Sequence, residues 1–310
     1  MDGLRGSDIL TLGEFTPDLL TFLLDRVAVH KRSSIAASSN YRPLAGKAVA
    51  VIMLKPSLRT RVSFEVAISR LGGTPIILGE GSAFSREESV KDTVKVLERY
   101  VDCIVLRTFE QSHVEEVAQH ASVPVINALT DDYHPCQVLA DLVTIRERKH
   151  RLVGLKAVYV GDGNNMANTL LIGSALAGMH LTVACPAGHD PLPAALERAH
   201  QIAEFTGAQL AVVRDPLTAA IDADVVITDT WTSMGQEAEH DERLAIFAPY
   251  RVDAALMAKA HNDVMFLHCL PAHRGEEVTD EVIDSSASAV YDEAENRMHA
   301  QKALLTMVMG

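Results

Sequence analysis

The segment KPSLRTRVSFE, which follows the apolar run AVAVIML (48 to 54), puts Arg59 and Arg61 where a helix should begin, at about Ser57 to Ser63. The positive end of a helix dipole disfavours cations by on the order of 0.3 kcal/mol or more, so two arginines there call for a nearby anion. Backbone N–H groups, two guanidinium forks and the hydroxyls of Ser57 and Thr60 would together cradle a phosphate. The alternative is a solvated arginine pair. Ligands of open α/β sheets lie beyond the carboxyl ends of the strands, and two further strand ends in this half carry suitable groups. Arg107 follows CIVL (103 to 106), and His134 and Gln137 follow PVINAL (124 to 129) within TDDYHPCQ. Each alone reads equally well as structural; three successive strand ends bearing Arg, His or hydroxyl groups point to one shared anion.

The second half offers complementary chemistry. After KAVYV, the segment GDGNNMANT starts like a dinucleotide fingerprint, but Met166 takes the third glycine's place and the next run ends at Cys185-Pro186 without the ribose-binding acid, so a nicotinamide cofactor is not expected. Asn164 and Asn165 suit either a polar ligand or an Asn-rich turn. After DVVIT comes DTWTSMGQE, in which Asp229 would attract a cationic substrate group or cap the next helix, while Ser233 offers a hydroxyl and Met234-Gly235 a pliable loop. In VMFLHCLPAHRGEE, His268 and Cys269 are adjacent, and side chains alternate along a strand, so no Cys-His nucleophile pair is expected. Leu270-Pro271 should end that strand and leave carbonyls to accept from an amide NH2 group.

Short β-rich runs recur with helix-length stretches between them, the pattern of parallel sheets covered on both faces. The runs are AVAVIML, PIIL, CIVL and PVINAL in the first half, then KAVYV, LTVAC, LAVV, DVVIT and VMFLHCL. The expected fold class is α/β: two doubly wound domains, each with a central parallel sheet flanked by helices. The first should span 1–145, completed by a C-terminal helix over 295–310, and the second 146–294. Thr16-Pro17 reads as a helix start, Ser89 with Asp92 as a capping box, and CQVLADLVTIRERKH as one helix crossing the boundary. The uncharged stretch from Gly163 to Gly188 is broken by Asn164, Asn165, Asn168, His180 and glycines, which favours a buried helix ending at Gly178 over a membrane span.

Of 310 residues, 28 are Lys or Arg and 41 Asp or Glu, a net charge of −13 that suits neither nucleic acid nor an anionic membrane. Any bound anion must therefore be gripped locally. Cys103, Cys136, Cys185 and Cys269 are far apart and lack zinc spacing, so reduced thiols in a cytoplasmic protein are expected, and MDGLRGSDIL has no secretory apolar core.

Taken together, SLRTR, HPCQ, GDGNN, DTWTSMGQE, HCLPAHRGEEV and DEAENRMHAQKALL resemble the ordered blocks of the aspartate/ornithine transcarbamylase family, nearest to members acting on ornithine. The resemblance implies transfer of a carbamoyl group from carbamoyl phosphate to the δ-amine of L-ornithine, a step of arginine biosynthesis, in a homotrimer with active sites between subunits and no metal or organic cofactor. It assigns Ser57, Leu58, Arg59, Thr60, Arg61, Arg107, His134, Gln137, Cys269, Leu270 and Arg297 to carbamoyl phosphate, and Asn165, Asp229, Ser233 and Met234 to ornithine. Arg107, His134, Asp229 and Cys269 carry the catalytic roles. Two positions depart from the family pattern: Leu58 stands where Thr is usual, and Ala83 where Gln is usual. Both bear on phosphate binding, which leaves a modified ornithine, another amino acid or a catalytically weakened paralogue as alternatives. Aspartate is the nearest rival substrate, and its second carboxylate would be a poor neighbour for Asp229.

Overall fold

Each of the nine apolar runs forms a strand in the computed structural model, which describes residues 4–35, 41–79, 81, 84, 88–232 and 239–310. The chain divides into two compact units, Met1–Ala140 with Asn296–Gly310, and Asp141–Glu295. In the first, α1 (Pro17–Ile35) precedes β1 (Ala48–Met53), α2 (Leu58–Arg70), β2 (Thr74–Leu78), α3 (Val90–Leu97), β3 (Cys103–Arg107), α4 (Gln111–His120), β4 (Val125–Leu129) and the start of α5 (Pro135–Lys149). All pairings are parallel, in the order β2-β1-β3-β4. Residues of β3 and β4 are buried throughout, as expected for strands covered on both faces.

The second unit runs β5 (Lys156–Val160), α6 (Asn165–Ala177), β6 (His180–Ala184), α7 (Pro193–Thr206), β7 (Leu210–Val213), α8 (Pro216–Ala219), β8 (Val225–Thr228), α9 (His240–Phe247), α10 (Ala254–Met257), β9 (Met265–His268), α11 (Asp280–Ile283) and the start of α12 (Val290–Met309). Its five strands are parallel in the order β7-β6-β5-β8-β9. Helix α6 ends where its glycine predicts: Gly178 is left-handed, at φ 66°, and its N–H bonds back to Ser174 and Ala175 carbonyls. No described helix is long and apolar enough to cross a membrane.

These orders fix where ligands can sit. A doubly wound sheet opens a crevice where the strand order reverses. In the first unit that point lies between β1 and β3, whose ends Met53 and Arg107 are register partners. In the second it lies between β5 and β8, where Val160 partners Thr228. The segments singled out by their chemistry follow these strands.

The C-terminal part of α12 belongs to the first unit, where Ala300, Ala303, Leu304, Leu305 and Val308 are buried. Asn296 accepts from Lys31 Nζ of α1 at 2.8 Å. Beside this contact His30 is buried, and burial, followed by the charges of Lys302, Arg26 and His299, lowers its pKa from 6.5 to about 4. The unfolded chain therefore binds the extra proton first, and the stability tied to a neutral His30 is present above pH 6.5 and lost as the pH falls towards 4. The unfolding free energy of the wild type, read from urea titrations, should fall across that window, and His30→Gln should remove on the order of 2 kcal/mol of the fall. Equal slopes for the two proteins would exclude His30 as the titrating group.

Candidate active site

Helix α2 begins as its sequence requires. Ser57 is extended, at φ −164°, and its Oγ accepts from Thr60 N at 3.3 Å, with no acidic residue in the first turn. The positive end of the dipole is thus left to the arginines. Arg59 is half-buried, and its Nε is buried with no hydrogen-bond partner among the described residues. Such a group costs about 1 to 3 kcal/mol or more unless a ligand accepts from it. Arg61 is exposed and 3.9 Å from Glu65, a surface pair of little energetic weight. Thr60 is buried and accepts from Arg297 Nη2 at 2.9 Å, which ties α12 to the start of α2. Leu58 is 77% exposed, so only its backbone faces the helix mouth.

Arg107, at the end of β3, is buried and donates through Nε to the Lys55 carbonyl at 3.0 Å. Lys55 itself, absent from the residues expected at the site, is a buried cation held by Asp131 at 2.8 Å and placed 5.0 Å over the Phe109 ring. Its signal was available: a lysine directly after a buried strand, next to a switch point. The turn after β4 is braced by Thr130, whose Oγ1 donates to Gln111 at 2.7 Å and accepts from Tyr133 N at 3.1 Å. That turn presents His134 and, in the first turn of α5, Gln137, both buried. Burial, then the charges of Arg297, Arg107 and Lys55, hold the His134 pKa well below 6.5. At neutral pH it is an uncharged imidazole among three cations, able to donate one hydrogen bond. Ser57, Arg59, Thr60, Arg107, His134 and Arg297 thus gather at one strand-end region, while Arg61 points to solvent.

In the second unit Asp229 is 9% exposed, and donors from three residues orient its carboxylate. Asn164 Nδ2 donates to Oδ2 at 3.0 Å, and Thr230 N and Cys269 Sγ donate to Oδ1 at 2.7 and 3.0 Å. Asn164 is fixed in turn: its Oδ1 caps α6 through Met166 N at 2.9 Å and accepts from Tyr159 Oη at 3.1 Å. Asn164 therefore positions Asp229, and Asn165 is the half-buried first residue of α6. Gly163 explains the false fingerprint. A Cβ there would lie 2.3 Å from the backbone of Asp190 and 2.4 Å from that of Pro191, so the glycine admits a neighbouring loop. Ser233, Met234 and Ala83 lie outside the described residues.

The end of β9 corrects one expectation. The strand stops at His268, so alternation no longer applies to Cys269, and donor atoms of Asp229, His268 and Cys269 all lie within 4.8 Å of one another. No Cys-His pair results. His268 Nδ1 accepts from Leu270 N at 2.9 Å and its Nε2 bonds Glu277 at 3.0 Å. Leu270 is left-handed, at φ 57°, a conformation costing a non-glycine residue roughly 1 to 2 kcal/mol. Burial, then Asp229, pushes the Cys269 thiol well above its usual range, so it serves as a hydrogen-bond donor.

Clustered cations at one switch point and an oriented carboxylate at another are carried on two α/β units with parallel sheets. Models of the aspartate/ornithine carbamoyltransferase carbamoyl-P binding domain and Asp/Orn binding domain match residues 7–147 and 153–308. The ornithine carbamoyltransferase of Anoxybacillus flavithermus is 52% identical over 99% of this chain and 98% of its own, and that of Bacillus subtilis 49% over 99% and 95%. The solved ornithine carbamoyltransferase of Pyrococcus furiosus superposes with a TM-score of 0.96 at 48% identity, covering 99% of this chain and 98% of that one. The chain belongs to the aspartate/ornithine carbamoyltransferase family.

The thiols yield a direct test. Burial raises Cys103, Cys136 and Cys185, the last two to about 12 and about 11, alongside Cys269. Iodoacetamide at pH 8 should leave the native protein unmodified under conditions that label all four cysteines in urea. Rapid native labelling of Cys269 would contradict its role as a protonated hydrogen-bond donor.

Proposed function

We propose that the protein is an ornithine carbamoyltransferase of arginine biosynthesis. The δ-amine of L-ornithine attacks the carbonyl carbon of carbamoyl phosphate: a C–N bond forms, the C–O bond to phosphate breaks, and the amine's proton leaves with the phosphate. The observation that carries this reading is the gathering of cations at the start of α2: Arg59 with its buried Nε, Arg297 on Thr60, and Arg107 on the Lys55 carbonyl. Carbamoyl phosphate binds in the first unit, its phosphate on the N–H groups after Ser57, including that of Leu58, and on Arg59, Thr60 and Arg297, while Arg61, exposed beside Glu65, is left out of the cradle. Arg107 and His134 donate to the carbonyl oxygen as it gains charge, a contribution commonly worth about 2.7 to 4 kcal/mol per donor. Gln137 accepts from the carbamoyl NH2, a role that the family resemblance also assigns to Cys269 and Leu270.

Ornithine binds through the second unit, where Asp229 pairs with an ammonium group and Asn165, Ser233 and Met234 complete the contacts. Asp229 also separates this substrate from aspartate, whose second carboxylate it would repel. Retention of Ser57, Arg59 and Thr60 supports activity despite Leu58 and Ala83. The family resemblance further supports a cytoplasmic homotrimer.

Purified protein given carbamoyl phosphate and ornithine should form citrulline, and aspartate in place of ornithine should give no carbamoyl product. The reverse pattern would overturn the substrate assignment. Arg59→Ala should weaken carbamoyl-phosphate binding at least about tenfold, since a charge-assisted contact is worth about 1.5 to 3 kcal/mol. An unchanged Kd, read by calorimetry, would remove Arg59 from the cradle.

A further inference from the structure

We propose that the second unit carries a divalent-cation site of the zinc class, formed by His273, Glu276 and Glu277 in the loop after β9. Each offers one donor atom, and the three lie within 4.8 Å of one another, compact enough for one ion to draw them together. The decisive group is Glu277. Its side chain is fully buried, and both hydrogen bonds reaching it fall on Oε1, from His268 Nε2 at 3.0 Å and from the His273 backbone N–H at 2.6 Å.

The tautomer of His268 follows from its neighbours. Nδ1 accepts a backbone N–H from Leu270 at 2.9 Å, so the ring proton is on Nε2 and Glu277 must be the acceptor. Glu277 Oε2 is meanwhile buried with no partner among the described residues. A buried carboxylate with one oxygen oversupplied and the other bare is costly unless a cation takes the bare side.

The remaining ligands stand ready beside it. Glu276 Oε2 lies 3.7 Å from His273 Nδ1, and its other oxygen lies 3.8 Å from His240 Nε2, at the start of α9. One imidazole and two carboxylates suit Zn2+, Mn2+ or Co2+ better than a thiol-seeking ion. His240 and His268 would orient Glu276 and Glu277 from outside the coordination sphere, the arrangement that tunes metal sites elsewhere. The side chains of His273 and Glu276 remain 43% and 29% exposed, which leaves an entry path.

The neighbouring set Asp229, His268 and Cys269 is a poorer host, because both nitrogens of His268 are engaged and Asp229 already accepts from Asn164, Thr230 and Cys269. It must still be silenced in the test. Zinc titration calorimetry on full-length Cys269→Ser should show one site per chain. In that background His273→Ala and Glu276→Gln should each weaken binding at least tenfold, and His240→Ala should weaken it to a smaller degree. Thermal melts of the metal-free variants establish which are folded, and either of the first two suffices. No binding to Cys269→Ser, or unchanged binding in a folded His273→Ala or Glu276→Gln variant, would overturn the proposal. Because the readout is metal binding, it stands apart from the citrulline assay.

Discussion

Positive charge set against the positive end of a helix is the constraint on which the rest depends. At the mouth of α2, Arg59 has a buried Nε with no partner among the described residues, Arg297 is anchored on Thr60, and Arg107 and Lys55 crowd the neighbouring strand ends. These like charges repel one another and the dipole, a repulsion that Asp131 relieves at Lys55. A folded protein keeps such an arrangement when a ligand offsets it, and a dianion meeting N–H groups and guanidinium forks does so. Burial, and then this same field, keep His134 neutral, so it adds no further cation to the cluster.

The second unit solves a different problem, holding a single carboxylate still. Tyr159 fixes Asn164, Asn164 fixes Asp229, and the Cys269 thiol meets the other oxygen. Each link begins at the end of β5, β8 or β9, strands adjacent in the sheet. Parallel register alone therefore brings together residues more than a hundred positions apart. The loop that supplies Asn164 can lie close to Asp190 and Pro191 only because position 163 has no side chain.

Much of this was legible in the sequence. The nine strands were readable because strands buried on both faces are unbroken apolar runs. Ser57, Arg59, Arg107, His134 and Asp229 were readable because polar and charged groups at the carboxyl ends of parallel strands line the crevice where ligands bind. What escaped depends on side-chain direction and pairing across the fold. The pairing of Lys55 with Asp131 and its place over the Phe109 ring arise from residues distant in sequence. Asn164 and Asn165 were indistinguishable as letters, and only the cap geometry of α6 separates the one that holds Asp229. The proximity of His268 and Cys269 was hidden because β9 ends at His268, short of the proline that seemed to mark its end.

The most direct test is a crystal structure of the protein with carbamoyl phosphate. The phosphate should lie at the start of α2, its oxygens about 3 Å from the Arg59 guanidinium and the backbone N–H groups after Ser57, with the carbonyl oxygen facing Arg107 and His134. An ordered ligand bound elsewhere, leaving Arg59 Nε without a partner, would contradict the cradle.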